Sequence, residues 1–164
     1  MSATTIREAV SDDIEDILRI YNEGIEDRIA TLEMEPKDIA YMEKWFEEHT
    51  RRYAVLVAEK ESKVVGWAAL NPYSHRCAYA GVADLSIYIA RDYRGQGVGS
   101  VLLPHLEKVA RQNNFYKIVL FTFPSNANGQ GLYRKNGYRN VGVLEKQGKV
   151  DGQFVDVMIM EKLL

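Results

Sequence analysis

The sequence predicts an α/β fold on a mixed sheet, with elements in the order β-α-α-β-β-β-α-β-α-β-β. Three observations predict it. Stretches with apolar residues at helical spacing alternate with β-branched runs of period two, which calls for helices packed on a sheet. Three strand-like runs follow one another between Tyr53 and Ala90 with no helix between them, which argues against a regularly doubly wound parallel sheet. The 164 residues, 46% hydrophobic and 27% charged, suffice for one ordinary core, and no repeat, linker or low-complexity tract divides them. One domain over residues 1–164 is therefore expected.

Thr5 to Ala9 reads as a short strand, and Ser11, Asp12 and Asp13 place a capping side chain and acidic groups at the positive end of a following helix. Ile14, Ile17, Leu18 and Tyr21 fall on one face of that helix. Pro36 suits the start of a second helix whose buried stripe is Ile39, Met42, Trp45 and Phe46. Tyr53 to Glu59 and Val64 to Leu70 form a hairpin of two largely buried strands, and a loop containing Asn71-Pro72 leads to a third strand, Asp84 to Ala90. In it Leu85, Ile87 and Ile89 alternate with Asp84, Ser86 and Tyr88, so one face is apolar and the other carries polar side chains.

Val98, Val101, Leu102, Leu106 and Val109 make the stripe of the next helix, which ends near Gln112. Pro104 lies past its first turn and predicts a kink or bulge, because proline loses a backbone bond and crowds the carbonyl four residues earlier. Lys117 to Phe123 is a buried strand. Asn126 caps a short helix that Gly137 stops, and Tyr138 to Leu144 and Gln153 to Glu161 are two strands joined by a turn region from Gly148 to Gly152.

Composition narrows the function. Lysine plus arginine number 21 against 23 acids, and a net charge of -2 lacks the basic excess of a nucleic-acid binder. A lone Cys77 requires no oxidising compartment, Met1 to Glu8 lacks a secretion signal, and no apolar run reaches the ~20 residues that span a bilayer, so a cytoplasmic protein without a membrane partner is expected.

The strongest chemical signal is Arg94-Gly95-Gln96-Gly97-Val98-Gly99-Ser100, which falls between a strand and an amphipathic helix. A helix start leaves backbone N–H groups unpaired at the positive end of the helix dipole, and it binds a phosphate where small residues let the ligand approach. Gly97 and Gly99 remove the Cβ atoms that would block it. A Walker loop would need a lysine after its last glycine, and a dinucleotide fingerprint would need glycine where Ser100 stands, so ATP and NAD are both disfavoured.

This segment resembles the Q/R-x-x-G-x-G/A signature of the GNAT N-acetyltransferases, and the element order is similar to theirs from Thr5 almost to Leu164. Within that superfamily the chain resembles the phosphinothricin and methionine sulfoximine acetyltransferase group. The similarity lies in Asn71-Pro72-Tyr73 with Arg76, Ala78-Tyr79, Asp84 and Tyr88, then Pro124 with Asn126, Tyr133 and Gly137-Tyr138. The resemblance implies a central mixed, mostly antiparallel sheet flanked by helices, acetyl-CoA as co-substrate and no metal. It also implies a homodimer, with the C-terminal strands as one way to build it.

Carried onto matching positions, the resemblance puts the pantetheine arm along the backbone of Ile87, Tyr88 and Ile89. The pyrophosphate falls on Arg94, Gly95, Gln96, Gly97, Val98, Gly99 and Ser100, with a further contact at Asn126. A strand whose neighbour splays away offers unpaired amides that a peptide-like arm can satisfy. Acetyl transfer to an amine needs a proton acceptor, since aliphatic amines are mostly protonated near neutral pH. Asp84, on the polar face of the strand that meets the cofactor, stands where the subfamily carries a glutamate. Being one methylene shorter, it implies relay through a water, with Glu23 as a reserve base. Tyr133 matches the family's general acid toward the departing thiolate, and the N–H of Ile89 is a candidate oxyanion donor. Tyr73, Arg76 and Tyr79 resemble substrate-side residues, joined there by Glu23, and an arginine fork suits a carboxylate, phosphinate or sulfoximine.

His75 and Cys77 have no third ligand nearby and make no convincing zinc set, and His49 and His105 belong to other helices. Cys77 likewise lacks the neighbours of a nucleophile. The reading that results is an acetyl-CoA-dependent N-acetyltransferase of a small-molecule amine, an amino acid or toxic amino-acid analogue. A protein or peptide N-acetyltransferase and a non-catalytic acyl-CoA-binding module are the alternatives.

Overall fold

The computed structural model describes residues 3–29, 31–49 and 52–164. Seven strands and four helices follow the expected order: β1 (Thr5–Glu8), α1 (Ile14–Glu26), α2 (Ile39–Glu48), β2 (Val55–Lys60), β3 (Lys63–Pro72), β4 (Val82–Ile89), α3 (Val98–Gln112), β5 (Lys117–Thr122), α4 (Ala127–Lys135), β6 (Arg139–Val150) and β7 (Gln153–Leu163). The strands form one sheet in the order β1-β2-β3-β4-β5-β7-β6. Its pairs are antiparallel except β4 with β5, so the sheet is mixed and mostly antiparallel.

Apolar residues on both sides of β2 and β3 explain their continuous apolar runs. Leu56, Ala58, Ala68 and Leu70 pack under α3 with Leu102, Leu103 and Leu106. Val55, Val57, Trp67 and Ala69 face α1 and α2, where Ile17, Ile20 and Met42 are almost wholly buried. Leu85, Ile87 and Ile89 of β4 join the α3 core, as alternation predicts. The opposite face is less polar than expected at its far end, because Tyr88 stacks on Trp67 with ring centroids 5.1 Å apart and meets Tyr21 edge-on.

Several boundaries differ from the sequence reading for local reasons. Helix α2 starts at Ile39 rather than near Pro36, because Asp38 caps it by accepting from the Tyr41 N–H at 2.9 Å. Ile39 is consequently exposed rather than part of the buried stripe. Asn71-Pro72 does not form a loop: both residues extend β3, with Asn71 opposite Asp84 and Pro72 opposite Ala83. At Pro104, where a kink or bulge is expected, the helical assignment of α3 continues without interruption from Val98 to Gln112. The proline ring lies on the exposed face while buried Leu102, Leu103 and Leu106 hold the helix to the sheet. The C-terminal hairpin is longer than expected, and its turn is only Asp151-Gly152, both in the left-handed region at φ 51° and 78°.

Candidate active site

Pairing between β4 and β5 is short. It covers Val82 with Lys117, Ala83 with Ile118 and Asp84 with Val119, and then stops while both strands continue. The Ala90 N–H donates to the Val65 carbonyl at 2.8 Å, which fixes the phase of the β3–β4 ladder. Tyr88, Ser86 and Asp84 therefore turn their main-chain groups toward β3, and Ile87 and Ile89 turn theirs to the β5 side, where no strand pairs with them. The Arg94 Nε donates to the Ile89 carbonyl at 3.3 Å. Ile87 borders a cleft of about 220 Å³.

Asp84 and Tyr133 both line that cleft, Asp84 from β4 and Tyr133 from α4. Burial pushes the Asp84 carboxyl up to about 6, against the opposing pull of hydrogen bonds from Asn71 and the Leu85 N–H. Burial also pushes the Tyr133 phenol above its ordinary range, with the Asp84 charge adding to the effect. Ser86, Phe123 and Val157 also line the cleft, and Thr31 and Leu32 reach it from the connection between α1 and α2. None of these five stands out in the sequence. Ser86 had a signal, since it shares its face of β4 with Asp84, whereas the others arrive from separate elements.

The glycine turn delivers β4 into α3. Gly95 and Gly97 hold φ of +73° and +83°, which favours glycine, and a Cβ at either would meet nothing within 4 Å. Gly97 is the N-cap of α3, and no side chain caps it, so the first-turn N–H groups of the helix lack intrahelical partners. Gly99 differs from the expectation. A Cβ there would lie 2.9 Å from Leu132 Cδ2, so this glycine eases the packing of α3 against α4, independently of any ligand. Val98 is buried in the core, and Gln96 Nε2 donates to the Asp92 carbonyl at 2.9 Å. Arg94 turns inward, its Nη1 2.6 Å from Asp27, and its buried Nη2 has no partner among the described residues. Asn126 caps α4, accepting from Gly129 N–H and donating to Thr122 Oγ1, both at 3.1 Å.

The residues expected on the substrate side lie elsewhere. Glu23 accepts from the Arg91 N–H at 3.0 Å and so ties α1 to the segment after β4; it does not line the cleft. Tyr73, Arg76 and Tyr79 sit exposed in or beside the connection between β3 and β4, with Tyr73 and Tyr79 in edge-on contact at 5.9 Å. Among the described residues no group of three or more His, Cys, Asp or Glu is placed to hold a metal, and no helix is long and apolar enough to cross a membrane.

A family model, the acetyltransferase (GNAT) family, matches residues 14–138. The chain belongs to this family. Three comparisons cover nearly all of it. It is 31% identical over 163 residues to the L-methionine sulfoximine/L-methionine sulfone acetyltransferase of Pseudomonas aeruginosa, covering 98% of this chain and 94% of the relative. A phosphinothricin acetyltransferase from Sinorhizobium meliloti, solved in complex with acetyl-CoA, superposes with a TM-score of 0.93 at 29% identity, over 98% of this chain and 88% of that one. The ribosomal-protein-alanine N-acetyltransferase from Brucella melitensis superposes with a TM-score of 0.94 at 32% identity, over 98% and 99%.

As a GNAT N-acetyltransferase the protein uses acetyl-CoA as co-substrate. Its geometry fits that molecule. Strand β4 offers main-chain groups that no neighbouring strand takes, and the uncapped start of α3 beside the open space at Gly95 and Gly97 suits an anionic group.

Proposed function

We propose that this enzyme acetylates the primary amine of an amino acid or an amino-acid analogue of the phosphinothricin or methionine sulfoximine type, with Asp84 as general base and Tyr133 as general acid. The observation that carries this reading is the placement of Asp84 and Tyr133 in one small cleft at the point where β4 and β5 part. The Pseudomonas and Sinorhizobium relatives support the acceptor class.

Acetyl-CoA supplies an activated carbonyl and a thiolate leaving group. The N–H of Ile87 and Ile89 hold the pantetheine arm and the carbonyl oxygen, and the N–H groups from Gly95 to Ser100 take the pyrophosphate, with Asn126 alongside. Arg94 and Gln96 shape that turn through their bonds to Asp27, Ile89 and Asp92. The Asp84 carboxylate takes a proton from the acceptor ammonium, directly or through one water, so that the nitrogen lone pair is free to attack. As the new N–C bond forms and the C–S bond breaks, the Tyr133 hydroxyl gives its proton to sulfur, and the second proton of the attacking nitrogen, lost as the amide forms, restores the Tyr133 hydroxyl. A carboxyl at about 6 is mostly ionised at neutral pH yet basic enough to accept that proton. Tyr73, Arg76 and Tyr79 serve the acceptor's acidic end from the exposed β3–β4 connection, and Glu23 stabilises the segment that follows β4.

The domain of residues 1–164 carries this activity as a homodimer in the cytoplasm. The dimer reading is supported by Val141, Val143 and Phe154, which are exposed on the β6–β7 hairpin. Sedimentation equilibrium tests it: a mass near twice 18.7 kDa is expected, and a monomer at all concentrations overturns it.

The acceptor reading is tested by thiol release from acetyl-CoA with methionine sulfoximine, phosphinothricin, proteinogenic amino acids and alanine-terminated peptides. Turnover on the amino-acid analogues is expected. Turnover confined to peptides would favour the second reading, a protein N-acetyltransferase, which the Brucella neighbour supports. Coenzyme A binding without turnover on any amine would reduce the protein to an acyl-CoA-binding module.

A further inference from the structure

Thr122 ends β5 on the far side of the opening from β4, and the mechanism above does not use its hydroxyl. Counting on from the pair Asp84 and Val119, Thr122 stands level with Ile87 across the gap where the two strands no longer pair. Its side chain lies on the α3 side of the sheet, the face that Ile118 and Leu120 also take. Only 3% of its surface is exposed, yet it borders the cleft that Asp84 and Tyr133 line.

The neighbouring atoms fix which way this hydroxyl points. The Gly129 N–H donates to Asn126 Oδ1 at 3.1 Å, so the oxygen end of the Asn126 amide is turned to α4 and its amino end to Thr122. Reversed, the amide would set its own N–H groups against the Gly129 N–H. Asn126 Nδ2 therefore donates to Thr122 Oγ1, at 3.1 Å, and an amino group accepts nothing in return. The Thr122 hydrogen is left over. No acceptor among the described residues takes it. Asp84 accepts from Asn71 and the Leu85 N–H instead, and the Tyr133 phenol is influenced by burial and the Asp84 charge alone. A buried donor without an acceptor is costly, and this one lies at the edge of a cleft.

We propose that Thr122 is a cofactor-binding residue whose hydroxyl donates to an amide carbonyl oxygen of the pantetheine arm. The proposal rests on the reading that the arm lies along Ile87 in the opening between β4 and β5. The wall formed by the end of β5 and the start of α4 offers donors only. One Nδ2 hydrogen of Asn126 is unclaimed beside the Thr122 hydrogen, and the carbonyls of Phe123 and Pro124 are taken by Gln130 Nε2 at 3.2 and 2.8 Å. Such a wall calls for an acceptor, and the amide carbonyls are the strong acceptors of the arm, whereas its sulfur is a weak one. The arm's amides do not react, so the bond is the same before and during acetyl transfer. It lowers KM for acetyl-CoA and leaves kcat alone.

The test measures what the arm adds to binding. Calorimetric titration at neutral pH compares coenzyme A with 3′-phosphoadenosine 5′-diphosphate, its nucleotide without the arm, in the wild type, Thr122→Val and Thr122→Ser. Thr122→Val weakens coenzyme A binding by about 5-fold and leaves the nucleotide within about twofold of wild type. Thr122→Ser, which keeps the hydroxyl, binds coenzyme A within about twofold of wild type. With the amine saturating, KM for acetyl-CoA rises in Thr122→Val by the same about 5-fold, and kcat stays within about twofold. Coenzyme A affinity unmoved in Thr122→Val overturns the proposal. So does an equal weakening of coenzyme A and nucleotide, which would mean that the start of α4 has shifted as a whole. Should Thr122→Val fail to fold by circular dichroism, Thr122→Cys, whose thiol donates weakly, decides by the same criteria. The wild type separates the two levels. If it binds coenzyme A no tighter than the nucleotide, the arm makes no contact in the opening, and the reading of Ile87 falls together with the proposal. If it binds coenzyme A tighter and Thr122→Val keeps that advantage, only the role of Thr122 falls.

Discussion

A Cβ on Gly99 would lie 2.9 Å from Leu132 Cδ2, so the cofactor-side helix α3 and the helix that carries Tyr133 meet through a contact that a larger residue disturbs. The obstacle is the end of a flexible side chain, which moves at modest cost. Gly99→Ala should therefore destabilise the fold by about 1 kcal/mol, at the low end of overpacking. Leu132→Ala made with it should recover part of that loss. Denaturant unfolding of the two single variants and the double variant checks the coupling, and strictly additive effects would show that the helices do not press on each other there.

Gly97 makes a different prediction, because space around its missing Cβ is open and its φ of +83° strains any other residue. Gly97→Val should cost about 1–2 kcal/mol of stability through backbone strain. It should also weaken acetyl-CoA binding by about tenfold or more, since the new side chain stands at the uncapped helix start. Gly152, at φ +78° in the β6–β7 turn with equally open surroundings, is the control. Gly152→Val should bring similar strain and leave the affinity unchanged in calorimetric titration.

Asp84 should trade stability for reactivity. Its carboxyl titrates at about 6 in the fold and near 3.8 when exposed, so between those values the folded state holds more protons than the unfolded state. Stability then falls as pH rises through that window and stays lower above it. Asp84→Asn removes the penalty, and at pH 7 it should raise stability by about 1–2 kcal/mol, with the gain vanishing near pH 4. Thermal unfolding at the two pH values checks the sign.

Tyr133 is almost wholly buried, yet its hydroxyl makes no hydrogen bond among the described residues. Tyr133→Phe should accordingly leave unfolding within about 1 kcal/mol of wild type. The same change should lower kcat by about 10²-fold, with acetyl-CoA affinity nearly intact, if the hydroxyl protonates the leaving sulfur. Steady-state kinetics with calorimetric binding checks both halves. A variant as fast as wild type would leave Tyr133 as a packing residue of the α3 core.

The order of elements was legible in the sequence because each helix and strand carries its own period: Ile14, Ile17, Leu18 and Tyr21 mark α1, and the paired apolar runs of β2 and β3 mark strands covered on both faces. The glycine turn was legible too, since left-handed backbone at Gly95 and Gly97 admits few other residues. Helix α2 was misplaced at its start because Pro36 and Asp38 compete as signals, and only the Asp38 bond to Tyr41 decides between them. The pressure of Leu132 on Gly99 was hidden because it joins residues 33 positions apart through tertiary packing. The contacts of Asn71 were hidden differently. Read as a loop, it had no register, and its bonds to Asp84, Ser86 and His49 exist only once β3 runs through it.

The base assignment at Asp84 is tested most directly by the kinetics of Asp84→Asn with acetyl-CoA saturating and the acceptor amine varied at neutral pH. The result expected is a fall in kcat/KM for the amine of about 10²-fold or more, with KM for acetyl-CoA within about twofold of wild type. Wild-type kcat/KM in that variant, on a folded protein that binds acetyl-CoA normally, would contradict the assignment.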